Sequence, residues 1–246
     1  IKAKTTELQE TNTNLLKQKE DKKELIAENK VTQKSLEAER KQHQVVMASI
    51  KKDINRYTSQ IKKRQREANR IDAQIDKIIK AAIARSNKRA GKSSSSKTFA
   101  LTPAGKALAK SFEANKGKLD WPVEKGVVKV RYGTQRHPIN RSLTIKSNGV
   151  RIATEKNAKV RSVFKGEVID VVRMKNVNPI VIIRHGNYIT YYKNLSKVYV
   201  KEGDKVATKQ SIGEVFSNPS NGETILSFSI SKESKTQNPA SWIYKM

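Results

Sequence analysis

Three histidines, His43, His137 and His185, and no cysteine make up this chain's stock of the side chains that most often bind transition metals. Without cysteine there can be no disulfide, thiolate metal site or cysteine nucleophile. No G-x-S-x-G elbow, phosphate-binding G-x-x-x-x-G-K-[ST] loop or H-E-x-x-H zinc helix occurs. No Ser/His/Asp arrangement is defensible as a triad. What the side chains offer in bulk is positive charge. Lys and Arg number 51 against 23 Asp and Glu, a formal net charge of +28. The first 90 residues hold 23 basic and 12 acidic residues, so the excess runs through both parts of the chain. Such a field attracts nucleic acid, anionic headgroups or acidic protein surfaces. A plain solvated basic surface accounts for the same charge. With no helix-turn-helix, RNA-recognition signature or basic region leading into a zipper, nucleic acid is not the expected partner.

The elements that must position any site fall into two kinds. At 246 residues the chain has room for about two domains. Its 36% hydrophobic and 30% charged composition is too polar for one globule and suits a solvated helix beside a folded domain. No stretch reaches the roughly 18 apolar residues of a membrane span. The chain opens on Ile1, with no visible leader, and reads as part of a longer, processed protein.

Before Gly91 there is neither Gly nor Pro, and helix formers dominate. One apolar row holds Met47, Ile54, Ile61, Ala68, Ile75 and Ala82. A second holds Ile50, Tyr57, Arg64, Ile71 and Ile78. This 3-4 alternation is a coiled-coil seam. His43, seven residues before Ile50, is a polar residue on that seam rather than a ligand. The first half is weaker, with Leu8, Leu15, Leu25 or Ile26, and Leu36 diluted by Asn12, Lys22 and Asn29. One seam cannot bury itself, so a second strand is expected, from an earlier helix of the same protein or from a second copy.

Ser86 to Lys97 reads as a flexible, basic, Ser-rich linker. Thr102 followed by Pro103 is an N-cap with Pro at the first helical position, predicting a helix from Pro103 to Asn115 ended by Gly117. From Val127 onward, short runs rich in Val, Ile, Tyr and Thr are divided by Gly, Asn and Asp, the pattern of an all-β domain. The expected organisation is a coiled coil over 1–90, a linker and short regulatory helix over 91–118, and an all-β domain over 119–246.

In that last domain eight motifs occur in order. They are Trp121-Pro122-Val123 with Arg131-Tyr132-Gly133, Asn148-Gly149-Val150-Arg151-Ile152-Ala153, Lys165-Gly166-Glu167-Val168, Ile182-Ile183-Arg184-His185-Gly186, Tyr192-Lys193-Asn194-Leu195-Ser196, Gln210-Ser211-Ile212-Gly213, Leu226-Ser227-Phe228-Ser229-Ile230, and Asn238-Pro239-Ala240-Ser241-Trp242-Ile243. Together they resemble the lysostaphin/LytM-type zinc peptidase domain. With the helix upstream, the chain resembles the EnvC-like murein hydrolase activators. The resemblance implies an α plus β multidomain protein: a long coiled-coil helix, a short linking helix and a LytM-like, duplicated hybrid motif-like β domain.

Active members of that family bind zinc through H-x-x-x-D and the second His of H-x-H. By resemblance those positions are Ser147, Arg151 and Ser227 here. The catalytic histidines correspond to Asn194 and Ile225, and His137 and His185 match non-ligand positions. Ser and Asn are poor zinc ligands, and Arg151 offers only N–H donors and a fixed positive charge. The resemblance therefore implies no metal, no cofactor and no catalysis. It implies instead a vestigial groove that binds a helix of a zinc-dependent N-acetylmuramoyl-L-alanine amidase during division, with the coiled coil docked to an FtsE–FtsX-type membrane complex in a Gram-negative periplasm or envelope. The implied groove residues are Asn148, Arg151, Asn178, Tyr192, Asn194, Ile225, Ser227 and Ser231. Arg151 suits a carboxylate on the partner. The Pro103–Asn115 helix or the end of the coiled coil is expected to cover the groove at rest. The competing expectation is a basic scaffold that binds peptidoglycan or another anionic polymer without activating an amidase.

Overall fold

The computed structural model describes residues 2–93, 96–136 and 143–246; His137 lies outside the described residues. The chain divides into two compact units, Ile1–Lys63 and Arg64–Met246. Helix α1, Lys2–Arg89, is the Gly- and Pro-free run. In the first unit its apolar side chains, among them Leu15, Leu36, Met47, Ile50, Ile54 and Tyr57, stand exposed.

In the second unit the same seam is covered. Ile75, Ile79, Ala82 and Ile83 are buried, and Ile71 and Ile78 pack against them. Their cover is a β-sheet and not another helix, which corrects the coiled-coil expectation for the last two heptads. A stripe at i, i+3 and i+4 serves either cover equally well, so the pattern alone does not name it. The linker expected from Ser86 also starts later, because α1 continues to Arg89. Asn87 is buried; its amide donates to Thr98 O at 2.9 Å, and its Oδ1 accepts from Ala100 N at 2.6 Å. This ties the segment after the helix back onto it, and Phe99 joins the apolar cluster under α1.

Helix α2, Pro103–Ala114, begins as its residues require: Thr102 Oγ1 accepts from Gly105 N at 3.1 Å. Thirteen strands follow: β1 Val127–Val130, β2 Gly133–Arg136, β3 Thr144–Ser147, β4 Val150–Ala153, β5 Lys159–Arg161, β6 Gly166–Met174, β7 Val177–His185, β8 Tyr188–Lys193, β9 Leu195–Val198, β10 Lys205–Val206, β11 Ser211–Val215, β12 Ile225–Lys232 and β13 Lys235–Gln237. The main sheet has the order β1-β4-β12-β8-β7-β6-β10, with β13 beside β12. A small sheet has the order β5-β11-β9, and β2 pairs with β3.

The main sheet is apolar on both faces at its centre. Val181, Ile183, Tyr188 and Tyr192 point to an inner core shared with Val160, Leu195, Ile212 and α2. Their alternates Ile180, Ile182, Ile189 and Tyr191 point the other way, to α1. This is why β7 reads as an unbroken apolar run. α2 therefore does not cover a groove. Its Phe112 is fully buried, with its ring centroid 4.9 Å from those of both His185 and Tyr188 and 5.1 Å from that of Trp242. Gly186, with φ +76°, lets α2 sit this close: a Cβ there would lie 2.6 Å from that of Ala109.

His185 is fully buried, its Nδ1 2.7 Å from Lys165 O and its Nε2 2.9 Å from Thr190 Oγ1. A carbonyl only accepts, so the proton is on Nδ1 and Thr190 donates to Nε2. Burial lowers the imidazole pKa from 6.5 to about 4, against the opposing pull of the Lys165 carbonyl. The depressed folded-state value means that the unfolded chain takes up the proton first as pH falls. The stability from neutral His185 is complete above about 6.5 and lost between there and about 4. From this group alone, unfolding free energy falls by about 2 kcal/mol between pH 7.5 and 5. Urea denaturation at the two pH values checks this, and His185→Gln is expected to flatten that part of the profile.

Candidate functional site

Outside the apolar contact with α1, the outer face of the main sheet turns polar. Register places Arg151 of β4 beside Ser227 of β12, Ser227 beside Lys193 of β8, and Lys193 beside Ile180 of β7. One row of the sheet thus reads cation, hydroxyl, cation. The β3–β4 connection brings Ser147 and Asn148 to the same place, with Ser147 Oγ donating to Gly149 O at 2.9 Å. Gly149 is needed here: a Cβ would lie 2.1 Å from Ser229 Oγ and 2.3 Å from Phe228 O. The Asn148–Gly149 turn is therefore pressed flat onto β12.

These residues line a cleft of about 340 Å³ between the sheet and α1 residues Arg64 to Asp72. Asp72 closes it. One carboxylate oxygen accepts from Lys193 Nζ at 2.5 Å and the other from Asn148 Nδ2 at 2.9 Å. The side chains of Lys193 and Asp72 are only 18% and 26% exposed, so water screens this pair less than a surface pair. Gln65 adds a bond to Lys146 O at 3.1 Å. Arg151 is half-buried, and its pKa is lowered, first by burial and then by Arg64, while Asp72 opposes the shift. The guanidinium stays charged, but next to another cation it is held at a cost that Asp72 partly offsets.

Five of the implied groove residues meet in this cleft, Asn148, Arg151, Asn178, Asn194 and Ser227, together with Ser147 of the implied ligand positions. Tyr192 does not. It alternates with Tyr191 and Lys193, so it faces the inner core, where its hydroxyl accepts from Val163 N at 3.0 Å. Ser231 is 1% exposed and outside the cleft, bonded to the Tyr191 hydroxyl at 2.6 Å. Ile225 is half-buried at the start of β12, also outside the cleft lining, and its carbonyl accepts from Asn194 Nδ2 at 2.7 Å. Two principal residues, Lys193 and Asp72, were missed. Alternation along β8 is enough to put Lys193 on the face of Tyr191, whereas nothing local marks Asp72.

A zinc ion does not fit this site. The positions that the resemblance gives to zinc ligands hold two hydroxyls and a guanidinium, and Lys193 adds a second fixed cation beside them. Asn194, at a position that the resemblance gives to a catalytic histidine, is a brace. It adopts φ +76°, accepts from Asn178 Nδ2 at 2.7 Å and donates to Ile225 O.

Residues 145–239 match the family model "Peptidase family M23". The match lies within the β domain, which is therefore similar to peptidase M23, LytM-type domains. An uncharacterised protein of Neisseria meningitidis serogroup B is 34% identical over 140 residues, which are 56% of this chain and 22% of that protein. The chain thus spans about a fifth of the curated relative it matches. Among solved structures, Helicobacter pylori Csd3 aligns at 24% identity over 52% of this chain and 35% of its own, with a TM-score of 0.44. A zinc-containing peptidase of Vibrio cholerae aligns at 24% identity over 51% of this chain and 40% of its own, with a TM-score of 0.43. A complex of SpoIIIAH and SpoIIQ aligns at 24% identity over 51% of this chain and the full length of the matched chain, with a TM-score of 0.45.

If Asn194 is a brace, the backbone angle and its two side-chain bonds set its value. Asn194→Ala is expected to cost about 2 kcal/mol, from lost bonds and from a left-handed β-carbon. Asn194→Gly, which tolerates the angle, should cost about 1 kcal/mol less. Chemical denaturation of both variants measures the difference.

Proposed function

We propose that this chain is a non-catalytic activator of cell-wall N-acetylmuramoyl-L-alanine amidases, acting through the vestigial active-site groove of its M23 domain. The observation that carries this is the composition of the cleft. Ser147, Arg151, Ser227 and Asn194, which by resemblance replace zinc ligands and a catalytic histidine, are gathered in one place, and the charge there is positive where a metal would need donors. A cleft of this kind has lost the means to polarise water and kept the means to bind an anionic group.

The last turns of α1 lie on the same face of the sheet. In this proposal they are the resting cover, and a partner helix replaces them. The exposed seam of the first unit is the surface for a division-site complex of the FtsE–FtsX type, and the protein works in the periplasm or envelope of a Gram-negative bacterium. The second reading, which the charge of +28 favours, is a basic scaffold that binds peptidoglycan or another anionic polymer without activating an amidase.

Dye release from labelled sacculi tests this. The chain alone should release nothing, and the chain with a cognate amidase should release several-fold more than the amidase alone. Release by the chain alone, abolished by chelator, would show a surviving peptidase. Binding to sacculi with no effect on the amidase would leave the scaffold. Arg151→Glu is expected to abolish activation while circular dichroism stays unchanged. Ile79→Asp, which weakens the apolar seat of α1, is expected to raise activation several-fold.

A further inference from the structure

We propose that Lys193, Asn148 and Arg151 form a carboxylate-binding subsite at one end of the groove, with Asp72 as its resident ligand and an acidic side chain on a partner's amphipathic helix as its exchange ligand. The proposal rests on the activator function above for the existence of a helical partner, and it adds what that helix must carry.

Three observations support it. First, the backbone positions that carry the donors are set by the sheet and not by Asp72. Lys193 and Arg151 are fixed on either side of Ser227 by strand register, and Asn148 by the flush contact of Gly149 with β12. The places from which these side chains reach the ligand therefore persist when α1 leaves. Second, Asp72 satisfies it as a carboxylate would, one oxygen to Lys193 and the other to Asn148. Third, the rest of the groove is apolar and already shows what it accepts. After Asp72, α1 lays Ile75, Ile79, Ala82 and Ile83 against Ile180, Ile182, Ile189 and Tyr191. The acceptable ligand is thus a helix with an acid followed by apolar residues at +3, +7, +10 and +11, one face of an α-helix.

The resident ligand is also imperfect. α1 brings Arg64 to the same cleft, where its charge opposes that of Arg151. A partner helix with an acid at the Asp72 place and no cation eight residues before it fits better than α1 does. The imperfection makes the cover displaceable.

The test uses the full chain with Asp72→Asn, which removes the resident carboxylate's charge while keeping the side-chain shape. The probe is a fluorescent peptide copying residues 66–86, with Asp, Asn or Lys at position 72, and its anisotropy is followed on titration. The Asp peptide is expected to bind at least tenfold tighter than the Asn peptide, with the ratio shrinking as salt rises. Adding Lys193→Glu to the protein should turn the preference toward the Lys peptide. If that variant is unfolded by circular dichroism, Lys193→Gln should abolish the preference. Equal affinity of the Asp and Asn peptides, or binding by neither, overturns the proposal. A clear preference in a protein that fails to activate an amidase would sink the proposed function and leave the subsite standing. Activation without any peptide preference would do the reverse.

Discussion

A β-sheet that is apolar on both faces has to be covered twice. In the second unit β7 and β8 impose this, because Ile180 and Ile182 alternate with Val181 and Ile183, and Ile189 and Tyr191 with Tyr188 and Tyr192. The inner face is covered by the small sheet and by α2, whose Phe112 is stacked between His185 and Tyr188. The outer face is left to α1. Burying several large aliphatic side chains is worth about 2 kcal/mol each, and neither surface would be stable in water alone. The cleft begins where this apolar contact stops. Beyond Ile71 and Ile75, α1 presents Asp72, Gln65 and Arg64, and the sheet presents Lys193, Ser227 and Arg151. Cover and site are consecutive stretches of one helix on one sheet.

The cleft itself shows a change in sign. A zinc centre surrounds a cation with neutral and anionic donors. Here the cations are attached to the strands, and the anion comes from the helix. Such a site needs an acid to be satisfied, since Arg151 and Lys193 are partly withdrawn from water and unpaired buried charge is costly. This links composition to mechanism. The general excess of Lys and Arg provides a diffuse field, while the two positive residues that are positioned by register provide a specific contact.

Much of this was legible in the residues. The absence of Gly and Pro before Gly91 is enough for α1, and Thr102-Pro103 is enough for the start of α2. Apolar runs divided by Gly, Asn and Asp are enough for an all-β domain, and the eight motifs for its type. Other features were illegible for definite reasons. The seam through Ile71, Ile75, Ile78 and Ala82 has the spacing of a coiled coil and also that of a helix laid on a sheet. Ser86-Asn87 looks like the start of a linker because Asn favours turns, yet Asn87 caps the returning chain from inside the helix. Tyr192 was placed in the groove by motif position, although alternation with Lys193 turns it to the core.

By itself the sequence determined which elements form. Helix propensity, strand alternation and capping are local, and each is a matter of residue identity and spacing. Tertiary structure alone decided what lies against what. That α1 covers the sheet, that Lys193 stands one strand from Ser227, and that Asp72 meets both Lys193 and Asn148 are contacts across 76 and 121 residues of chain. No local signal encodes them, because they arise from the packing of two apolar faces, which aligns whatever polar residues come next.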